Sequence, residues 1–264
     1  MDKIRVWLKD NGYDEKEYQL KGIEWCRERE LVGNMAGEKR VYGGLLADEM
    51  GLGKTVTMLA QIVGNELSRT LIVVPKILLQ QWKRTIEANT NKKVWLFHGE
   101  EAKISEEKLK RYDIVLTTYG MVSLVSGRRA NIIYKIKWDR AIFDEAHHLK
   151  NSKTAVFKGV SEIKRDITWL VTGTPIQNRK TDFYSLCYCM GLPSSYYTNE
   201  DNLMDLVEKF MLKRTKAEVG MILPDLTIKN ETVAWGSEEE KSLAENFHGV
   251  LKFTSATINK DFGP

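Results

Sequence analysis

Six short apolar runs recur along the chain, at 43–47 (GGLLA), 70–74 (TLIVV), 94–97 (VWLF), 113–117 (DIVLT), 140–143 (RAIF) and 168–172 (TWLVT). They are too short for helices. Several are apolar at successive positions, as strands of a parallel sheet covered on both faces must be. Helix-like segments at about 54–66, 77–88, 106–111 and 154–163 lie between them. This alternation predicts an α/β fold: a parallel sheet with helices on both faces and right-handed crossovers.

The flanks read differently. Residues 18–31 form one amphipathic helical stretch ahead of the first strand, and after 172 the strand rhythm stops. Residues 182–190 and 203–212 read as helices, a break follows at 223–225, and 226–235 reads as one more strand. Ser237 with Glu240 three residues later is a capping-box signal for a last helix over about 238–252. A length of 264 residues fits one main domain of this class. The 42% hydrophobic share excludes wholesale disorder. No apolar run approaches the roughly 20 residues a bilayer demands. The opening residues are too charged for a secretory signal, so an intracellular protein is expected. A net charge of +4 permits a polyanionic partner without arguing for one. Cys26, Cys187 and Cys189 cannot all pair, and with no nearby histidine they read as buried thiols, not as a zinc site.

The chemistry begins at 47–55. Ala47-Asp48-Glu49-Met50-Gly51-Leu52-Gly53-Lys54-Thr55 follows one strand run and opens a helix, the setting a phosphate-binding loop requires. Gly51 and Gly53 let successive N–H groups face inward as a cradle for phosphate oxygens, and the helix start adds partial positive charge. Lys54 would reach the β- and γ-phosphates and the Thr55 hydroxyl would bind Mg²⁺. Asp48 stands where the general pattern has its first glycine. Residues 140–147 (RAIFDEAH) form an apolar run ending in two carboxylates. Asp144 would hold Mg²⁺, and Glu145 would orient and deprotonate the attacking water.

Taken in order, 43–55 (GGLLADEMGLGKT), 144–147 (DEAH) and 170–178 (LVTGTPIQN) resemble motifs I, II and III of superfamily-two helicase-like ATPases. The wording is closest to the SWI/SNF-type chromatin-remodelling translocases, in which an aspartate at the position of Asp48 is usual. Residues 18–22 (YQLKG) resemble the adenine-recognising Q motif, with Gln19 in the contacting position. Residues 71–82 and 114–119 resemble motifs Ia and Ib, and 211–216 (MLKRTK) with 223–224 resemble the end of the family's first lobe. The resemblance spans about residues 13–225. Lys16 and Glu17 replace the family's usual Arg-Pro, His148 follows DEAH where a basic Arg is common, and Arg179 follows the Gln-Asn of motif III.

The resemblance implies a RecA-like lobe over 1–235 and the start of a helical protrusion over 236–264. It implies ATP and Mg²⁺ as cofactors and double-stranded DNA, held by its backbone, as partner. A second RecA-like lobe carrying motifs IV to VI would complete the site; nothing after residue 230 resembles it. His147, Gly173 and Thr174 would couple the nucleotide site to DNA. Lys76, Gln81, Thr117 and Thr118, on loops at the same sheet edge, would touch phosphates and read no sequence, and Lys150, Lys153 and Arg128-Arg129 would add charge. Nucleosomes or another DNA-bound protein would be the substrate, in the nucleus if the source is eukaryotic. Two alternatives stand beside the translocase: a strand-separating helicase lobe, and a non-catalytic lobe that uses nucleotide as a switch.

Overall fold

The computed structural model describes residues 1–124, 132–174, 179–221 and 236–246. The chain divides into two compact units, Met1–Ile222 and Leu223–Pro264.

In the first unit the elements run α1 (Asp2–Asp10), α2 (Glu17–Leu31), β1 (Asn34–Ala36), β2 (Lys39–Leu46), α3 (Lys54–Gly64), β3 (Thr70–Val74), α4 (Leu79–Asn89), β4 (Val94–Phe97), α5 (Glu106–Leu109) and β5 (Ile114–Thr118). There follow β6 (Trp138–Asp144), α6 (Ala155–Glu162), β7 (Arg165–Val171), α7 (Lys180–Met190), α8 (Ser194–Tyr197), α9 (Leu203–Phe210) and β8 (Met211–Leu212). One sheet takes the order β1-β2-β7-β6-β3-β5-β4, with β8 also pairing β2. From β2 to β4 every pairing is parallel, and β1 alone is antiparallel.

The apolar runs produce this because both faces of the sheet are buried. Leu45, Leu71, Val73, Ala141, Phe143 and Leu170 point into one core. Their sequence neighbours Leu46, Ile72, Val74, Ile142, Trp169 and Val171 point into the other. A period of two along strands that are apolar at nearly every position can only feed two layers. The second core is closed by α1, α2, α3 and α4, whose buried residues include Ile4, Ile23, Met58 and Trp82.

A buried ion pair crosses those layers. Arg140 of β6 and Glu30 of α2 are both fully buried, with Arg140 Nε donating to Glu30 Oε1 at 2.6 Å. Trp169 Nε1 donates to Glu30 Oε1 at 2.7 Å and Asn65 Nδ2 to Oε2 at 2.8 Å. With these donors supplied the carboxylate is satisfied, as a buried charge must be.

All six expected strands and the crossover helices are present, with ends displaced by a few residues. Helix 203–212 is shorter than expected. It stops at Phe210, and Met211–Leu212 instead pair with Leu45–Leu46 along the edge of β2, where the open backbone groups of β2 offer hydrogen bonds that compete with another helical turn. Helix α1 and strand β1 are additions. In the second unit a helix covers 238–246, opened by Glu240 N donating to Ser237 Oγ at 3.1 Å while Glu240 Oε2 accepts from Gly236 N at 3.0 Å. The expected strand 226–235 lies outside the described residues. The three cysteines are buried and unpaired, and among the described residues no helix is long and apolar enough to cross a membrane.

Candidate nucleotide site

The parallel strands end together along one edge of the sheet, where open α/β folds gather their ligands. Val171, the last residue of β7, is in register with Leu46 on one side and Asp144 on the other. The end of β2 and the end of β6 are therefore two strand spacings apart, about 10 Å. The phosphate-type loop leaves from the first and the acidic pair from the second.

Gly51 and Gly53 take φ of 92° and 82°, left-handed conformations that side chains with a Cβ resist. Gly53 caps α3, and Gln19 of α2 lies against it: its Nε2 is 2.7 Å from where a Cβ on Gly53 would stand. Gln19 is thus packed on the loop. Lys54 Nζ donates to the carbonyl oxygens of Asp48 at 2.7 Å and Glu49 at 3.3 Å. Burial pulls the Lys54 ammonium below its usual pKa, and the charges of Glu145, Asp48, Asp144 and Glu49 oppose that pull.

Asp144 is held by both oxygens. Trp82 Nε1 donates to Oδ2 at 2.7 Å and the Glu145 amide to Oδ1 at 3.0 Å. Its own carbonyl accepts from the Tyr119 hydroxyl at 2.7 Å. Burial raises the Asp144 pKa above the ordinary carboxylate value, against the lowering by these two donors. Glu145 adopts φ of 51° and is the single non-glycine residue with positive φ among those described. Such backbone costs of order 1 kcal/mol or more and persists where the surroundings impose it.

The third motif closes on both. His147 Nδ1 stands 3.1 Å from Glu145 Oε2 and 3.5 Å from Thr172 Oγ1, which in turn accepts from the Thr174 amide at 3.2 Å. A Cβ on Gly173 would be 3.0 Å from Met50 Cγ and 3.5 Å from Lys54 Nζ. Residues 175–178, the remainder of that motif, lie outside the described residues.

Lys76, Thr118 and Tyr119, with Pro75, His98 and His148, line a cleft of about 380 Å³ at the ends of β3 and β5. The His148 ring lies 4.9 Å from Tyr119 and 4.8 Å from His147, and burial lowers its pKa. Gln81 is exposed on the first turn of α4. Thr117 does not join this edge by its side chain: it is fully buried, and its hydroxyl donates to Phe97 O at 2.8 Å. Adjacent strand residues face opposite sides, and Thr118, though buried, is the one of the pair that lines the cleft. Arg128 and Arg129 lie outside the described residues.

Oxygen donors of the kind Thr55 and Asp144 carry suit a hard divalent cation. Among the described residues no cluster of three His, Cys, Asp or Glu side chains can hold a metal by itself.

Four residues inside motif-like segments, given no role at the nucleotide loop or the acidic pair by sequence alone, complete the site. Trp82 and Tyr119 fix Asp144, while Arg214 and Lys216, beyond β8, pair with Asp48 and Glu49. The side chains of those two acids are therefore committed to protein partners.

Residues 18–198 match the family described as SNF2-related domain. A protein named "Probable global transactivator" of Orgyia pseudotsugata multicapsid polyhedrosis virus is 33% identical over 243 residues, covering 85% of this chain and 47% of its own length. Transcription termination factor 2 of Drosophila melanogaster is 28% identical over 270 residues, covering 81% of the chain and 24% of its own. Among solved structures, the Sulfolobus solfataricus SWI2/SNF2 ATPase core in complex with dsDNA superposes with a TM-score of 0.63 at 28% identity, covering 79% of this chain and 46% of that one. The chain spans about half or less of the length of these relatives.

Proposed function

The chain belongs to the SNF2-related family, and on that premise we propose that it is the first, ATP-binding lobe of an ATP-dependent double-stranded-DNA translocase. The observation that carries this is the strand register: Val171 pairs with Leu46 on one side and Asp144 on the other, so the glycine-lined loop after β2 and the acidic pair ending β6 emerge two strands apart on one sheet edge. Backbone amides of residues 51–55 and the start of α3 would cradle a triphosphate, with Lys54 supplying charge at its outer phosphates. Thr55 and Asp144 would hold Mg²⁺, which neutralises charge building on the transferred phosphate. Glu145 takes the proton of the attacking water, and His147, within hydrogen-bond reach of its carboxylate, links that base to the Thr172–Thr174 loop.

DNA would lie along the cleft edge made by Lys76, Thr118 and Tyr119, held by phosphate contacts that ignore sequence. The archaeal relative solved with dsDNA supports that partner. A second RecA-like lobe would face this one and contribute the arginine that, when lacking, costs about 10³–10⁵ in rate. One lobe alone would therefore bind Mg-ATP and turn it over very slowly. Remodelling of nucleosomes or another DNA-bound protein, and a nuclear location, belong to the same proposal.

The test is Mg-ATP binding and hydrolysis by the wild type, Lys54→Ala and Glu145→Gln. Lys54→Ala should abolish binding, whereas Glu145→Gln should keep binding and lose hydrolysis. Hydrolysis unaffected by Glu145→Gln would overturn the assignment.

A further inference from the structure

The segment after β8 returns to the phosphate loop and follows it residue by residue. Beyond the β8–β2 pairing, Ala47 N donates to Leu212 O at 2.7 Å and Glu49 N to Arg214 O at 2.9 Å. Side chains repeat the match. Arg214 Nε donates to Asp48 Oδ1 at 3.0 Å and its Nη2 to Oδ2, a two-pronged pair. Lys216 N donates to Glu49 Oε2 at 2.7 Å, and its ammonium lies 3.5 Å from Oε1. That backbone contact, with the Lys216 charge behind it, lowers the Glu49 carboxyl below its usual pKa.

Arg214 also reaches the other wall of the site. Its Nη1 donates to the carbonyl oxygen of Tyr18, and the guanidinium stands 5.6 Å from that ring. Gly22, one turn further along α2, leaves the room: a Cβ there would meet Arg214 Nη2 at 2.5 Å. One guanidinium thus touches the Q-motif helix and the phosphate loop together.

Asp48 is completely buried, in a loop that a triphosphate would approach. An unpaired carboxylate there would oppose that ligand and strain the loop. We propose that Arg214 is a positioning residue of the nucleotide site: by neutralising Asp48 and bridging to Tyr18 it fixes the phosphate loop against the adenine-side helix and makes the loop receptive to a triphosphate. Asp48 is then half of a clasp closed from the far end of the lobe. The proposal rests on the reading of 47–55 as an ATP-binding loop.

Mg-ATP affinity, measured by calorimetric titration alongside the thermal midpoint of each protein, tests it. The set is the wild type, Lys54→Ala, Arg214→Met, Asp48→Gly and the double variant Asp48→Gly/Arg214→Met. Losing one partner of a buried, doubly bonded charge pair should weaken binding by Arg214→Met at least about tenfold. Asp48→Gly removes the charge that Arg214 answers, and the double variant should bind within about threefold of Asp48→Gly, because contacts that act as a unit are non-additive. A merely structural arginine would lower the midpoint and leave the affinity of the folded protein alone. If Arg214→Met does not fold, the comparison of Asp48→Gly with the double variant decides. The proposal is overturned if folded Arg214→Met binds like wild type, or if the double variant binds more than about tenfold more weakly than Asp48→Gly. Should Lys54→Ala bind like wild type, the ATP reading itself fails, whatever Arg214 does.

Discussion

The indole N–H of Trp82 donates to Oδ2 of Asp144 across 2.7 Å, joining the helix that follows the Lys76 loop to the acid proposed to hold the metal. Both groups are buried, so the bond is made away from water, where an unmade one is costly. Helix α4, which follows the Lys76 loop of the cleft proposed for DNA, is therefore tied to the acid proposed for the metal.

Replacing Trp82 by Phe keeps most of the packing and deletes this donor. The expected loss is about 1–3 kcal/mol in unfolding free energy, together with a higher Mg²⁺ requirement for nucleotide binding, because Asp144 keeps only the Glu145 amide. Chemical denaturation and a Mg²⁺ titration at fixed nucleotide measure the two effects. No change in either would reduce Trp82 to core filler.

Glu30→Ala removes the counter-charge of the buried Arg140 guanidinium and leaves it only the neutral oxygens of Thr70, Gln61 and Asn65. Breaking a fully buried pair from one side costs about 3–5 kcal/mol, so the urea midpoint should fall steeply. The exposed pair Lys180–Glu200 offers the contrast: Lys180→Ala should leave the midpoint where it was.

Glu66 receives both Lys3 and Lys92, and these bonds lower its carboxyl from 4.5 to about 2. A carboxyl depressed in the folded state contributes stability that is present above pH 4.5 and lost as pH falls towards 2. Thermal midpoints of wild type and Glu66→Gln should differ by a constant amount above pH 5 or so and converge between those two values. A gap that stays open at the acid end would contradict the pairing.

Burial pushes the thiols of Cys187 and Cys189 up to about 12 and that of Cys26 well above its usual value. Since the thiolate is the reactive form, a thiol reagent at pH 8 should label none of the three in the native chain and all three in denaturant. Rapid native labelling would show that these residues are not core.

Much of this was legible in order along the chain. Runs such as TLIVV, apolar at every position, can be satisfied only between two layers, so the parallel sheet followed from them. The loop 47–55 and the acids Asp144 and Glu145 were legible because each motif is local: glycine, lysine and carboxylate sit within a few residues of the strand end that displays them. Thr117 shows the limit. Sequence offered two adjacent threonines, and only the sheet's faces determine that Thr118 points to the cleft while Thr117 bonds Phe97.

The linear order of residues determined the strand–helix alternation and put the glycine-lined loop and the acidic pair at strand ends, because backbone preference and apolar periodicity act over a turn or a strand at a time. Tertiary structure alone decided the partners: Val171 standing between Leu46 and Asp144, Trp82 on that aspartate, Glu30 on Arg140, and Arg214 on Asp48. Those contacts join residues up to 166 positions apart. Arg214 sits in the MLKRTK segment that the family resemblance picked out, but only the path that carries β8 back along β2 brings it to a carboxylate that burial obliges to find a counter-charge.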